Sequence, residues 1–115
     1  MGSLSTHVLD TSSGRPASGI RYTLYRADGV RDFICTGETN DEGRTDAPLL
    51  TSERFEPGTY ELVFAVGGYF ARDEMTGQGT PFLDEIVLRF SLSARERYHV
   101  PLLVSPWGYT MYRGS

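Results

Sequence analysis

Short alternating segments, each closed by glycine, proline or a polar turn, run the length of this chain, and that punctuation constrains its fold most. Ile20, Tyr22 and Leu24 alternate with Arg21, Thr23 and Tyr25, the period of a strand with one buried face. Leu4–Asp10 alternates in the same way, and Thr11–Pro16 reads as a loop. Ala27-Asp28-Gly29 carries Asp-Gly, a strong hairpin signal, which makes Val30–Thr36 the returning strand. Asn40–Asp46 is a polar turn leading to the apolar pair Leu49-Leu50. Pro57-Gly58 turns the chain into Thr59–Val66, which is rich in aromatic and β-branched residues. Gly67-Gly68 ends that run, and Tyr69–Met75 suits a helix of about two turns. Ile86–Phe90, His99–Ser105 and Tyr109–Arg113 complete the set of strands. Seven or eight short strands with one short helix specify an all-β fold, an antiparallel β-sandwich.

Composition narrows the chemistry. The 115 residues suit one domain over residues 1–115 with a sizeable core. A net charge of −4 argues against nucleic acid as a partner, because phosphate binding needs a basic face. Every basic residue is arginine. Without lysine there is no Schiff-base chemistry and no phosphate-binding P-loop. The single Cys35 excludes an internal disulfide and a multi-cysteine zinc site; in a strand-like run it reads as a small buried hydrophobe rather than a nucleophile. No apolar run approaches the ~20 residues that span a bilayer, and the first residues lack a signal-peptide pattern. The expectation is a cytoplasmic protein with no membrane partner.

The residues available for catalysis are few. The chain has two histidines, His7 in the first strand and His99 at the start of a late apolar one. No His-x-His or His-x-x-x-His spacing is present, so no metal and no other cofactor is expected. Arg44 sits in a turn of Asp, Glu and Gly, where a surface ion pair is its ordinary role. Asp10 follows His7 by three residues and falls on the other face of a strand. Each of these alone has a bland explanation. The closing Tyr112-Arg113-Gly114-Ser115 is the exception: aromatic, cationic and hydroxyl groups directly after a core-like strand, where a frayed end is the norm.

Taken together, Leu4-Ser5-Thr6-His7-Val8-Leu9-Asp10, Gly43-Arg44-Thr45-Asp46, Tyr98-His99-Val100-Pro101-Leu102-Leu103 and Tyr112-Arg113-Gly114-Ser115 resemble the 5-hydroxyisourate hydrolases, the transthyretin-related enzymes of purine breakdown. The four motifs occur in the family's order, and Ser105-Pro106-Trp107-Gly108-Tyr109 is similar to transthyretin itself. The resemblance implies a transthyretin-like sandwich of two four-stranded sheets with one short helix. It also implies a homotetramer whose sites lie in a channel where dimers meet. The family's site residues fall on His7, Arg44, His99 and Tyr112–Ser115. Its reaction is hydrolysis of 5-hydroxyisourate to 2-oxo-4-hydroxy-4-carboxy-5-ureidoimidazoline in urate degradation.

The residue types suit that reaction. Water attack on an imide-like ring carbonyl needs a base for the water and a donor for the developing oxyanion. A histidine titrating near ~6.5 suits the base, and arginine's planar fork suits a substrate edged with carbonyl and N–H groups. His7 and His99 are therefore expected to carry the proton transfers, with no choice between them as base. Arg44 is expected to hold substrate and stabilise negative charge. Tyr112 is expected to close the pocket, Arg113 to add a cation, and Ser115 to add a hydroxyl and a carboxylate. The competing expectation is a non-catalytic small-molecule carrier in the same channel, which would need neither the histidines nor the closing tetrapeptide.

Overall fold

Side-chain alternation places one face of each sheet inward, and a computed structural model, describing residues 2–71 and 80–114, shows how the strands are joined. Among the described residues the strands are β1 (Ser3–Asp10), β2 (Arg15–Pro16), β3 (Arg21–Arg26), β4 (Asp32–Glu38), β5 (Gly58–Ala65), β6 (Glu85–Leu92), β7 (Arg97–Ser105) and β8 (Gly108–Met111). A six-residue helix, α1 (Val66–Ala71), follows β5. They form two four-stranded sheets, ordered β2-β1-β7-β8 and β4-β3-β5-β6. In β1, Leu4, Thr6, Val8 and Asp10 face inward while Ser3, Ser5, His7 and Leu9 face out. Leu4, Val8, Val100, Leu102 and Val104 of the first sheet meet Leu24, Leu62, Phe64, Ile86 and Leu88 of the second in one buried cluster. Burying such side chains contributes about 1.5–3 kcal/mol each.

Three local expectations change. The sandwich is not antiparallel throughout: β1 and β7 run parallel, with Ser5 opposite His99 and His7 opposite Pro101. The whole second sheet lies between them in sequence, and a long crossover of that kind is what a parallel pair requires. The stretch read as loop also contains β2, two residues paired with Leu9 and Asp10. Finally, Gly67 and Gly68 do not end β5 but lie inside α1, which starts at Val66. The Gly67 amide donates to the Asp84 carbonyl, and Phe70 is fully buried, so tertiary contacts outweigh the glycines' weak helix propensity. Residues 72–75 of the expected helix lie outside the described residues.

Cys35, on β4, is half-buried with its thiol pKa raised by burial, consistent with a packing role. Asp10 is buried on the inner face, accepting hydrogen bonds from the Ser12 amide and the Tyr69 hydroxyl (2.9 and 2.8 Å). It ties α1 to the end of β1 and takes no part in the face that carries His7. Among the described residues no helix is long and apolar enough to cross a membrane.

Candidate active site

The outer face of the β2-β1-β7-β8 sheet brings the sequence-predicted residues together. His7 and His99 stand on neighbouring strands, both half-buried, two residues apart in register and so on the same face. Arg44 joins them from the turn after β4, because residues 43–44 pass along the part of the β1 edge that β2 leaves uncovered. The Val8 amide donates to the Gly43 carbonyl (2.8 Å), and His7 and Arg44 form an antiparallel bridge. Directly opposed residues of such a bridge share a face.

The sequence of that turn explains its shape. Gly43 has φ +74°, and a Cβ there would lie 2.3 Å from the Val8 carbonyl oxygen; only glycine fits both the conformation and the approach. The Asn40 side-chain oxygen accepts from the Glu42 and Arg44 amides (2.9 and 3.1 Å), while its amide nitrogen donates to Asp46 (3.1 Å). The Gly-Arg-Thr-Asp motif is thus a device for holding Arg44 beside His7. Among the described residues no carboxylate forms an ion pair with Arg44, so a surface salt bridge is not how this side chain is held.

A depression of about 360 Å³ is lined by Ser3, Ser5, Arg44, Arg97, Tyr98 and His99, and a smaller one of about 180 Å³ shares Ser5 and Arg44 with it. No carboxylate lines the larger depression, where the Arg44 and Arg97 guanidinium groups face the same space as His99; Asp46 lines the smaller one, and His7 lines neither. The pKa of His99 is lowered, first by burial and then by the nearby Arg44 and His7. Both causes disfavour the imidazolium, so the ring keeps its neutral form into more acid solution than an ordinary histidine. Ser5 Oγ and His99 Nδ1 share a hydrogen bond of 2.8 Å. With Nδ1 engaged, Nε2 is the ring nitrogen left to meet another group. Ser5 was not singled out from sequence; its signal was its place two residues before His7, on the same face of the same strand.

The tail partly joins this site. Continuing the β7–β8 register past Met111 places Tyr112 opposite Pro101 and Gly114 opposite His99, and the latter pair forms a bridge in which the Gly114 amide donates to the His99 carbonyl (2.6 Å). Pro101 has no N–H to give the facing chain, so β8 ends at Met111 instead of running on to Arg113 as the sequence suggested. A Cβ on Gly114 would lie 3.1 Å from the His99 ring, so a larger residue there would press on that ring. Tyr112 is half-exposed. Arg113 does not join the histidines: its guanidinium pairs with Glu96 (2.7 Å) and lies over the Tyr98 ring. Ser115 lies outside the described residues. Among the described residues no group of three or more His, Cys, Asp or Glu side chains is placed to hold a metal ion.

Residues 4–114 match the model of the HIUase/Transthyretin family. The chain belongs to that family. It is 50% identical to the 5-hydroxyisourate hydrolase of Mesorhizobium japonicum, over 99% of this chain and 93% of the relative. Among solved structures it is similar to the 5-hydroxyisourate hydrolase of Klebsiella pneumoniae, at 32% identity and TM-score 0.83 over the full length of both chains. It is similar as well to the transthyretin of Sparus aurata, at 28% identity and TM-score 0.85, covering 99% of this chain and 97% of that one. The likeness of backbone to both branches is thus nearly equal. Sequence separates them: this member stands much nearer in identity to the Mesorhizobium hydrolase than to the transthyretin.

Proposed function

We propose that this chain hydrolyses 5-hydroxyisourate, the activity its relatives are named for, with His7, Arg44 and His99 as the reacting residues. The observation that carries the reading is the outer face of the first sheet, where His99 and Arg44 line a depression with no carboxylate in its lining and His7 stands beside both on the same face. A carrier for an apolar molecule has no use for such a cluster.

In the proposed reaction His99 is the base. Its neutral form is favoured by burial and by Arg44, and Ser5 engages Nδ1 so that Nε2 takes the proton of water. The water oxygen bonds to a ring carbonyl carbon, and the carbonyl electron pair becomes an oxyanion beside the Arg44 guanidinium. As the oxyanion collapses, the ring C–N bond breaks, and the departing nitrogen takes a proton from an imidazolium. His7 orients the water or supplies that proton. The product carries the new carboxylate. Tyr112 and Ser115 are proposed to border the substrate.

The depression is open in a single chain. We propose that a homotetramer encloses it where two dimers meet; a stable, fully active monomer by light scattering would contradict this. A cytoplasmic location is proposed on the single-cysteine composition alone.

The test is decay of 5-hydroxyisourate followed spectroscopically and corrected for its spontaneous hydrolysis. The purified chain should accelerate decay by at least the ~10⁶-fold typical of the lower range of enzymes. Decay at the spontaneous rate would refute the activity.

A further inference from the structure

Arg113 occupies the middle of a tail whose neighbours lean toward the histidine face, yet its own side chain leaves on the other side. In an extended chain, alternate residues point to opposite faces. Gly114 lies against the His99 ring, and Arg113 points the opposite way, onto Tyr98. There its guanidinium carbon stands 4.5 Å from the Tyr98 ring centroid, and a terminal nitrogen lies 2.7 Å from a Glu96 carboxylate oxygen. Tyr98 is itself rigidly held. It is buried and stacked on Phe55 at 6.0 Å, and its hydroxyl donates to the Ala94 carbonyl at 3.0 Å.

We infer that Arg113 is a positioning residue, a latch that fastens the tail to Glu96 and Tyr98 so that Gly114 and Tyr112 are held against the His99 face. The inference rests on the reading of that face as the hydrolase site. An exposed ion pair adds little to the stability of a whole domain. Here it acts on a smaller equilibrium, the docking of a short segment that would otherwise fray. The backbone bond from Gly114 to His99 closes the far end of the segment, and Arg113 is the side chain that decides how often it closes. A cation placed against both a carboxylate and an aromatic face is suited to that task. A guanidinium engaged in this way is not aimed at substrate.

The test compares Arg113→Gln, Glu96→Gln, the double variant and Arg113→Lys in the assembled protein. Two readouts are followed: turnover of 5-hydroxyisourate, and hydrogen exchange of the Gly114 amide by NMR. A latch predicts that Arg113→Gln and Glu96→Gln each lower kcat/KM by roughly 3- to 10-fold, the size of a modest ion-pair and cation–π contribution. The double variant should be little worse than the poorer single one. Gly114 exchange should quicken in step, and Arg113→Lys should recover most of both, because a lysine keeps a cation over Tyr98 beside Glu96. Three results would overturn the inference. One is Glu96→Gln behaving as wild type while Arg113→Gln raises KM, the pattern of a direct substrate contact. Another is unchanged Gly114 exchange in both single variants. The third is faster exchange with undiminished turnover. If the wild-type chain showed no hydrolysis above the spontaneous rate, the functional reading would fall, and Gly114 exchange alone would decide whether the latch exists.

Discussion

The two sheets treat charge on their outer faces in opposite ways. On the β4-β3-β5-β6 sheet, Arg31 and Arg89 both reach the Glu61 carboxylate at 2.7 Å, Arg21 lies 3.7 Å from Glu38, and Arg31 also covers the Tyr25 ring. On the β2-β1-β7-β8 sheet, Arg44 and Arg97 line a depression with His99 and no carboxylate. Among the described residues neither of these arginines is in an ion pair. A guanidinium beside its own carboxylate presents a nearly cancelled field to anything approaching. One left without a counter-charge keeps its field and lowers the proton affinity of a neighbouring histidine. Equal numbers of arginines on a surface therefore say little; what each one faces decides whether it is structural or chemical.

The most damaging way to probe that contrast is to remove the titrating rings themselves. His99→Asn and His7→Asn should each lower kcat by about 10²- to 10⁴-fold, the size of a lost acid–base contribution, with the fold retained because both side chains stand outside the core cluster. Near-normal turnover in both would show that the charged face is not the reacting one.

A sharper comparison pairs one arginine from each sheet. Arg44→Gln should lower kcat/KM by about 10²-fold, as expected for losing a donor to the developing oxyanion, whereas Arg89→Gln should change it less than about twofold. The pH profile adds a sign. The lowered pKa of His99 means that the active neutral ring survives into more acid solution, so the acid limb of activity should fall below the ordinary value of 6.5. Removing Arg44 takes away a cation that opposes protonation, and the limb should move to higher pH. Burial, the larger cause, remains, so the limb should stop short of the ordinary value. A limb that moved to lower pH, or that moved equally in Arg89→Gln, would break the link between Arg44 and His99.

The smallest expected effect belongs to Ser5, whose hydroxyl engages His99 Nδ1. Ser5→Ala should cost about 2- to 10-fold in kcat, the range of one modest hydrogen bond, and nitrogen NMR of His99 should show a changed balance between its two neutral tautomers. An unaltered tautomer balance would leave the serine no part in orienting the ring.

Much of this was readable one strand at a time. The alternation of Ile20–Tyr25 gave the buried and exposed faces of β3 correctly, with Tyr22 and Leu24 inward. The Asp28-Gly29 turn marked the β3–β4 hairpin. His7, Arg44 and His99 were found by motif, and the fold brings them to one face. Arg113 was grouped with them as part of the closing Tyr112–Ser115 motif, and its side chain turns instead to Glu96 and the Tyr98 ring. Gly67-Gly68 read as a break, because a glycine's local preference is visible in a sequence and the Asp84 carbonyl that receives its amide is not.

What the sequence by itself determined was the period-two burial of each strand and the places where the chain must turn. These depend on a few adjacent residues and on backbone sterics. The partner of each strand was decided only in three dimensions. Nothing within Leu4–Asp10 says that it will lie parallel to a strand more than eighty residues later, because pairing is selected by closure of the whole core. The same holds for the site. The lowered pKa of His99 comes from burial and from its neighbours Arg44 and His7, which reach it from two distant segments, and it arises only when the sheet places them side by side.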